Sequence, residues 1–276
     1  MGSKYLQSRI ENTFSEAEQF LKQGRKVMFT GTPCQITGLK KYLRKEYSNL
    51  LTVDVLCHGV PSPGVWRKYL NELPIPANTV QQTDNASSER NISSIISDIE
   101  FRSKTLNGWK KYNVLIRRNP SLTNGNSILL SSIYSNNSYM RGFLSNLYLR
   151  PSCYQCRCKN GVSHSDLTIA DYWGIDKLMP EFDDDKGVGL VLLNTKQGED
   201  VFSEFNMDIR LSSLEDAKQF NGGFKEHITQ HPKRIFFFKE LYKGKTIEGS
   251  VNKALRRSVL VKISEKIKNI INILLG

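Results

Sequence analysis

The chain has 276 residues and carries 39 Lys or Arg against 27 Asp or Glu, a formal charge of +12. That length allows a real core, as one large domain or two small ones, and 10% aromatic residues argue against wholesale disorder. Five cysteines are too sparse for a secreted disulfide scaffold, and an odd number leaves one unpaired. No apolar run approaches the roughly 20 residues that cross a bilayer. Met1 to Glu11 is polar and lacks an apolar stretch followed by small residues, so no signal peptide is expected. The expected location is cytoplasmic, where clustered cysteines hold metal or do redox chemistry more often than they form disulfides. The positive charge is spread out: residues 1–138 hold 18 basic and 10 acidic side chains, and residues 139–276 hold 21 and 17. Such a surface suits an acidic protein, an anionic cofactor, nucleic acid or lipid headgroups, and by itself chooses none of them.

Along the chain, residues 14–23 read as a helix with Phe14, Ala17, Phe20 and Leu21 on one face and Gly24 as a stop. Val27 to Thr30 reads as a short buried strand, followed by the turn Gly31-Thr32-Pro33. A helix from about Cys34 to Tyr47 and a strand from Leu50 to Cys57 come next. Pro61 and Pro63 open a further helix with Val65, Trp66, Tyr69 and Leu70. The order helix, strand, helix, strand, helix implies a parallel α/β layer. Residues 77–91 read as a mobile surface loop. Alternation at Ile99 and Phe101, at Tyr112, Val114 and Ile116, and at Ile128 to Leu130 predicts antiparallel strands added to the core. Asn91-Ile92-Ser93 matches a glycosylation acceptor that a cytosolic chain would not use.

A cysteine-rich loop at 153–158 leads into a strand at Leu167 to Tyr172. An acidic stretch from Glu181 to Asp185 precedes a buried strand at Gly187 to Asn194. The remainder reads as helical. In the tail, Leu255, Val259, Ile263, Ile267, Ile270 and Leu274 recur at helical spacing, and Val251 to Gly276 holds six basic residues and one acidic. That pattern is an amphipathic basic helix, suited to packing on its own domain or a partner, or to lying on the inner face of a membrane. The expected fold is α/β: a parallel sheet core with added antiparallel strands and a helical C-terminal tail. Residues 1–224 are expected to form the main domain and residues 225–276 the tail. The chain lacks G-x-G-x-x-G, a P-loop, G-x-S-x-G, H-E-x-x-H, zinc-finger spacing and an aromatic–basic RNA motif. A nucleic-acid partner is therefore not expected.

Cys34 follows one expected strand and begins a helix, and Cys57 ends another. Neighbouring parallel strands would set both at one carboxyl edge, where open α/β sheets bind ligands. A helix start also favours the thiolate at Cys34. Cys153 and Cys156 form a C-x-x-C pair that can reach one metal centre. Together the four make an all-sulfur donor set, which selects an iron–sulfur cluster or zinc; spacing does not separate the two. Cys158 is a competitor or bystander. His58 could replace one thiol, contact a cofactor, pack, or act as base for a Cys34 nucleophile.

Gly31-Thr32-Pro33-Cys34-Gln35-Ile36, Gly38-Leu39, Val53-Asp54 and Cys57-His58-Gly59-Val60-Pro61-Ser62-Pro63 resemble the coenzyme F-420 hydrogenase/dehydrogenase beta-subunit family. So do Cys153-Tyr154-Gln155-Cys156, the run Ser165 to Gly174, and Lys186-Gly187 leading into Leu190-Val191-Leu192. Members are similar to iron–sulfur flavoproteins that pass electrons between ferredoxin or a hydrogenase subunit, a 4Fe–4S cluster, FAD and a substrate. That substrate is the deazaflavin F-420 in archaea and a chlorophyll-type pigment in plant relatives. Many bacterial relatives are encoded among polysaccharide genes. The resemblance implies Cys34, Cys57, Cys153 and Cys156 as cluster ligands. It places Gly31, Thr32, Pro33, His58, Gly59, Asp171, Trp173 and Lys186 beside the cluster or flavin. The N-terminal C-x-x-C-x-x-C run and the Ser-Gly-Gly stretch of full members are not present here. The expectation is a C-terminal portion whose missing half another chain supplies. The function expected is an iron–sulfur oxidoreductase domain relaying electrons between an acidic, ferredoxin-like partner and a flavin or deazaflavin. The alternative is a non-catalytic four-cysteine remnant or scaffold in polysaccharide biosynthesis.

Overall fold

The computed structural model describes residues 5–75, 92–122, 127–159, 161–224 and 228–256. The chain opens with α1 (Thr13–Lys22), β1 (Val27–Gly31), α2 (Pro33–Leu43), β2 (Leu50–Val55) and α3 (Pro63–Asn71). A middle stretch holds α4 (Ile92–Ile95), β3 (Ile96–Ser103), β4 (Asn113–Arg118), β5 (Ile128–Ile133) and α5 (Ser138–Leu144). Then follow β6 (Leu167–Asp171), α6 (Ile175–Leu178), β7 (Gly189–Leu193) and α7 (Lys196–Ser203). The helices α8 (Leu214–Phe220), α9 (Arg234–Tyr242) and α10 (Ile247–Leu255) complete the described chain. The loop expected at 77–91 and the tail beyond residue 256 lie outside the described residues.

One sheet has the order β1-β2-β6-β7. β1, β2 and β6 are parallel, with Val53 opposite Leu167, and β7 runs antiparallel to β6 with Ile169 opposite Val191. The expected parallel layer is thus present. The antiparallel strand joined to it is β7, while β3, β4 and β5 make a sheet of their own.

Helices α1 and α2 cover one face of the first sheet. Ala17, Leu21, Leu39, Leu43 and Leu50 bury together there, and Phe14, Val27 and Phe29 pack on them. Side chains alternate across a strand, so Met28 points the other way and is 65% exposed. Val55, Ile169 and Leu193 are exposed as well. The strands expected to be buried at 27–30 and 187–194 are therefore outer strands, each half open to solvent. Helix α2 is also shorter than expected. Arg44 turns into the left-handed region (φ 58°) and closes it, so Tyr47 packs on the helix pair from outside.

The largest core lies between the β3–β4–β5 sheet and α3, α5, α9 and α10. It holds Trp66, Tyr69, Phe101, Ile116, Tyr139, Phe143, Tyr148, Phe237 and Val251. Trp66 and Tyr139 meet with ring centroids 4.8 Å apart. Residues 234–255 contribute directly to this core. A smaller core around Trp109, Tyr172, Ile175 and Leu190 sits under the carboxyl end of β6. Asp166 stitches the sheet together: its carboxylate accepts from Thr52 N–H and Oγ1, each at 2.7 Å, and from Thr195 Oγ1 at 2.7 Å. Among the described residues, no helix is long and apolar enough to cross a membrane.

Candidate functional site

The carboxyl edge of β1 and β2 gathers the cysteines. Thr32 caps α2, Pro33 fills its first position, and the Gln35 side chain accepts from Thr32 N–H at 2.8 Å. This cap fixes the helix start and presents Cys34, whose sulfur lies 3.2 Å from Thr32 Oγ1. Gly31 is tightly enclosed: a Cβ there would stand 3.0 Å from the Gln35 side chain.

Past β2 the chain leaves the sheet, with Leu56 N–H still bonded to Ile169 O at 2.9 Å. Cys57 and His58 follow. Residues 59–62 then pair with residues 148–153. Ser62 N–H donates to Tyr148 O and Arg150 N–H to Val60 O, both at 2.8 Å, and Pro61 bridges Leu149. Val60 N–H donates to Cys153 Sγ at 3.3 Å. Only glycine permits this approach. Gly59 has φ +147°, and a Cβ on it would meet Leu149 Cδ1 at 2.9 Å, with Cys153 Cβ at 3.6 Å. Backbone pairing thus brings loops nearly a hundred residues apart into contact.

Cys153 and Cys156 lie in and just after the 3-10 turn Pro151–Gln155. Burial pushes the Cys57 thiol up to about 12; charge on Cys34 or Cys153 pushes it further, while Lys159 and the Gly59 N–H oppose the rise. Burial likewise raises Cys153, as does charge on Cys156 or Cys34. Charge at the other cysteines thus bears on Cys57 and Cys153. Yet among the described residues, no group of three or more His, Cys, Asp or Glu side chains is arranged to hold a single metal ion. Zinc, with bonds of about 2.3 Å, would draw its four sulfurs into close mutual contact. An iron–sulfur cluster takes the same all-thiol donors. The donor set suits such a cluster: all thiols, backbone N–H groups aimed at two of them, and a nearby buried ammonium.

That ammonium belongs to Lys159, which the motif reading passed over. Lys159 is only 6% exposed, and its Nζ lies 3.5 Å from His58 O. Burial lowers its pKa, and charge on Cys57, Cys156 and Cys153 raises it again. A lone Lys after a C-x-x-C pair gives no sequence signal, because lysines are ordinarily exposed. The His58 imidazole meets Phe143 edge-on with centroids 5.0 Å apart. Burial and the Lys159 charge hold it below the usual histidine range.

Asp171 and Trp173 sit further along the edge, at the end of β6. Asp171 pairs with the buried Arg102, whose guanidinium also lies 5.1 Å from the Trp173 ring centroid. Trp173 stacks on Trp109 at 4.8 Å. The two indoles, Phe220, Lys110, Lys177 and Asp176 line an open cavity of about 340 Å³. Lys186 is apart from it: its ammonium pairs with Asp184 at 3.0 Å in solvent, and its carbonyl accepts from Lys104. The structure therefore sets Gly31, Thr32, Pro33, His58 and Gly59 beside the cysteines and Trp173 at a separate aromatic pocket, with Asp171 outside that pocket's lining and paired with Arg102. Side chains in contact connect the two places. Tyr5 lies 5.0 Å from Phe143, and Arg102 stands over both Tyr112 (4.7 Å) and Trp173.

Residues 24–217 match the family model for the C terminus of the coenzyme F-420 hydrogenase/dehydrogenase beta subunit. No curated protein sequence matches the chain. Among solved structures, it resembles a chain of the F-420-reducing nickel–iron hydrogenase complex from Methanosarcina barkeri, studied by xenon derivatization. Identity is 14% and the TM-score 0.39, over 74% of this chain and 55% of that one. The chain thus spans little more than half the length of that relative.

Proposed function

Given that the chain belongs to the family defined by the C terminus of the coenzyme F-420 hydrogenase/dehydrogenase beta subunit, we propose that it is an electron-relay domain. Cys34, Cys57, Cys153 and Cys156 would hold a 4Fe–4S cluster, which supplies one-electron transfer when bound. The donor would be an acidic, ferredoxin-like protein, attracted by the chain's excess of 39 basic over 27 acidic residues. The acceptor would be a flavin or a deazaflavin, which takes two electrons and two protons in its full reduction.

The observation that supports this reading is the pairing of residues 59–62 with 148–153, which brings Cys153 Sγ to the Val60 N–H, three residues past Cys57. The chain's own residues have distinct tasks. Val60 and Gly59 offer N–H groups to sulfur, and Thr32 fixes Cys34. Trp173, backed by the buried Trp109, offers a flat wall to a fused-ring ligand. Lys177 stands at that wall for an anionic group, while Lys110 is held by Asp176 and Asp183. A cavity of about 340 Å³ is at the small end of ligand pockets, so it suits a ring system better than a whole dinucleotide. FAD held whole would need walls from another chain.

Anaerobic reconstitution with iron and sulfide tests the proposal. We expect about four irons per chain and a broad visible absorbance that bleaches with dithionite. Stoichiometric zinc with negligible iron would instead support the structural scaffold reading. Flotation with anionic liposomes, with and without residues 257–276, tests membrane contact through the tail.

A further inference from the structure

We infer that Lys159 is the built-in counter-charge of the four-cysteine site and sets the potential at which that site accepts an electron. The inference rests on the cluster reading above and goes beyond the ligands themselves. Lys159 is 6% exposed, and no carboxylate among the described residues pairs with it. Lysines are almost never fully buried without a partner. Lys159 lies three residues past Cys156, and charge on Cys57, Cys156 and Cys153 opposes the lowering of its pKa by burial. Its hydrogen bond to the His58 carbonyl, at 3.5 Å, holds the ammonium against the Cys57 loop. It thus spans the two cysteine-bearing loops, just as the backbone pairing does.

Four thiolates around an iron–sulfur core leave a net negative charge, and one added electron makes that charge larger. A fixed cation in a site shielded from water favours the more negative state. Cluster potentials respond to net charge, to hydrogen bonds at sulfur and to exposure. The hydrogen-bond donors here are backbone groups of Val60 and Gly59, which side-chain changes leave in place. Lys159 is the side chain through which the charge can be altered without touching a ligand. It acts through the thiolates and is a positioning residue.

The test uses the full chain, reconstituted anaerobically, as wild type, Lys159→Met and Lys159→Arg. Each is titrated with dithionite against redox dyes while the cluster absorbance and its electron paramagnetic resonance signal are followed. Lys159→Met should move the reduction equilibrium about tenfold against the reduced form, which is about 59 mV toward negative potential. Lys159→Arg keeps the charge and should titrate near wild type. Equal potentials in all three, or an equal shift in both variants, would overturn the inference. If Lys159→Met takes up no iron, Lys159→Arg decides. Loading at the wild-type potential supports a charge role, whereas failure of both variants shows a packing role and overturns it. A wild-type chain that takes up no iron removes the cluster reading itself, an outcome distinct from a loaded chain whose potential ignores Lys159.

Discussion

At the β1–β2 end of the sheet edge, the loops that carry Cys57 and Cys153 are held by main-chain hydrogen bonds at 2.8 Å and by one N–H to sulfur. At the β6 end, Asp171 and Trp173 are held by side chains: an ion pair to Arg102 and an indole stack at 4.8 Å. The first arrangement depends on backbone shape and is indifferent to most side chains except where a Cβ cannot fit. The second depends on particular rings and charges. The cysteine end should therefore fail through its ligands and its glycine, and the pocket end through truncation of an aromatic.

The largest expected effect lies at the sulfurs. Cys57→Ser and Cys153→Ser should each lose most of the iron taken up by wild type, while Cys158→Ser should keep it, as measured by iron and sulfide per chain. Retention of full iron by Cys153→Ser would break the assignment of that end. Gly59→Ala strikes the same end through the backbone. Its φ of +147° is closed to other residues, and the new methyl would meet Leu149 at 2.9 Å. A loss of about 3 kcal/mol in urea unfolding is expected, together with weaker iron retention. Wild-type stability in this variant would show that the loops are less tightly matched than the pairing implies.

At the other end, Trp173→Ala removes one face of the indole stack and one of the two rings under Arg102. Because the ring is only partly buried, about 2 kcal/mol is expected. Flavin affinity, read by fluorescence quenching, should fall while iron content stays at the wild-type value. If iron falls instead, the two ends are not separable.

The same contrast explains what the sequence revealed. Strand and helix positions follow from apolar periodicity, and Cys34, Cys57, Cys153 and Cys156 stand out by motif as candidate ligands. The direction of β7 was hidden, because a run such as Gly-Leu-Val-Leu-Leu reads alike in parallel and antiparallel sheets. The openness of β1 was hidden too, since an apolar run does not say whether one face or both are covered. The separate sheet of β3, β4 and β5 needed knowledge of pairing partners, which alternation does not carry. Trp109 and Lys159 escaped notice for one reason. Each gains its role from a neighbour far away in the chain or from unusual burial, and neither leaves a local pattern. Lys186 shows the converse: it stands beside a recognisable Lys-Gly motif, yet its ammonium pairs with Asp184 in solvent.

The smallest effect is a matter of pH at the rim of the aromatic pocket. Lys110 Nζ lies 2.7 Å from Asp183 and 3.4 Å from Asp176. The hydrogen bond from Lys110 holds the Asp183 carboxyl below its ordinary range, with further help from the Asp185 backbone. A carboxyl lowered in the folded state adds stability that is present above its unfolded pKa, about 3.9, and is lost as pH falls through the lower folded value. Lys110→Met removes the chief cause of that lowering. The titration of Asp183, followed by carboxyl-carbon nuclear magnetic resonance, should then move up toward 3.9. The acid limb of the stability curve below about pH 4 should become shallower in the variant: a small loss of stability relative to wild type is present near neutral pH and closes as pH falls through the folded value of Asp183. An unchanged Asp183 titration would show that the Asp185 backbone, not Lys110, sets it. The pocket rim would then be held by main-chain contacts after all, as the cysteine end is.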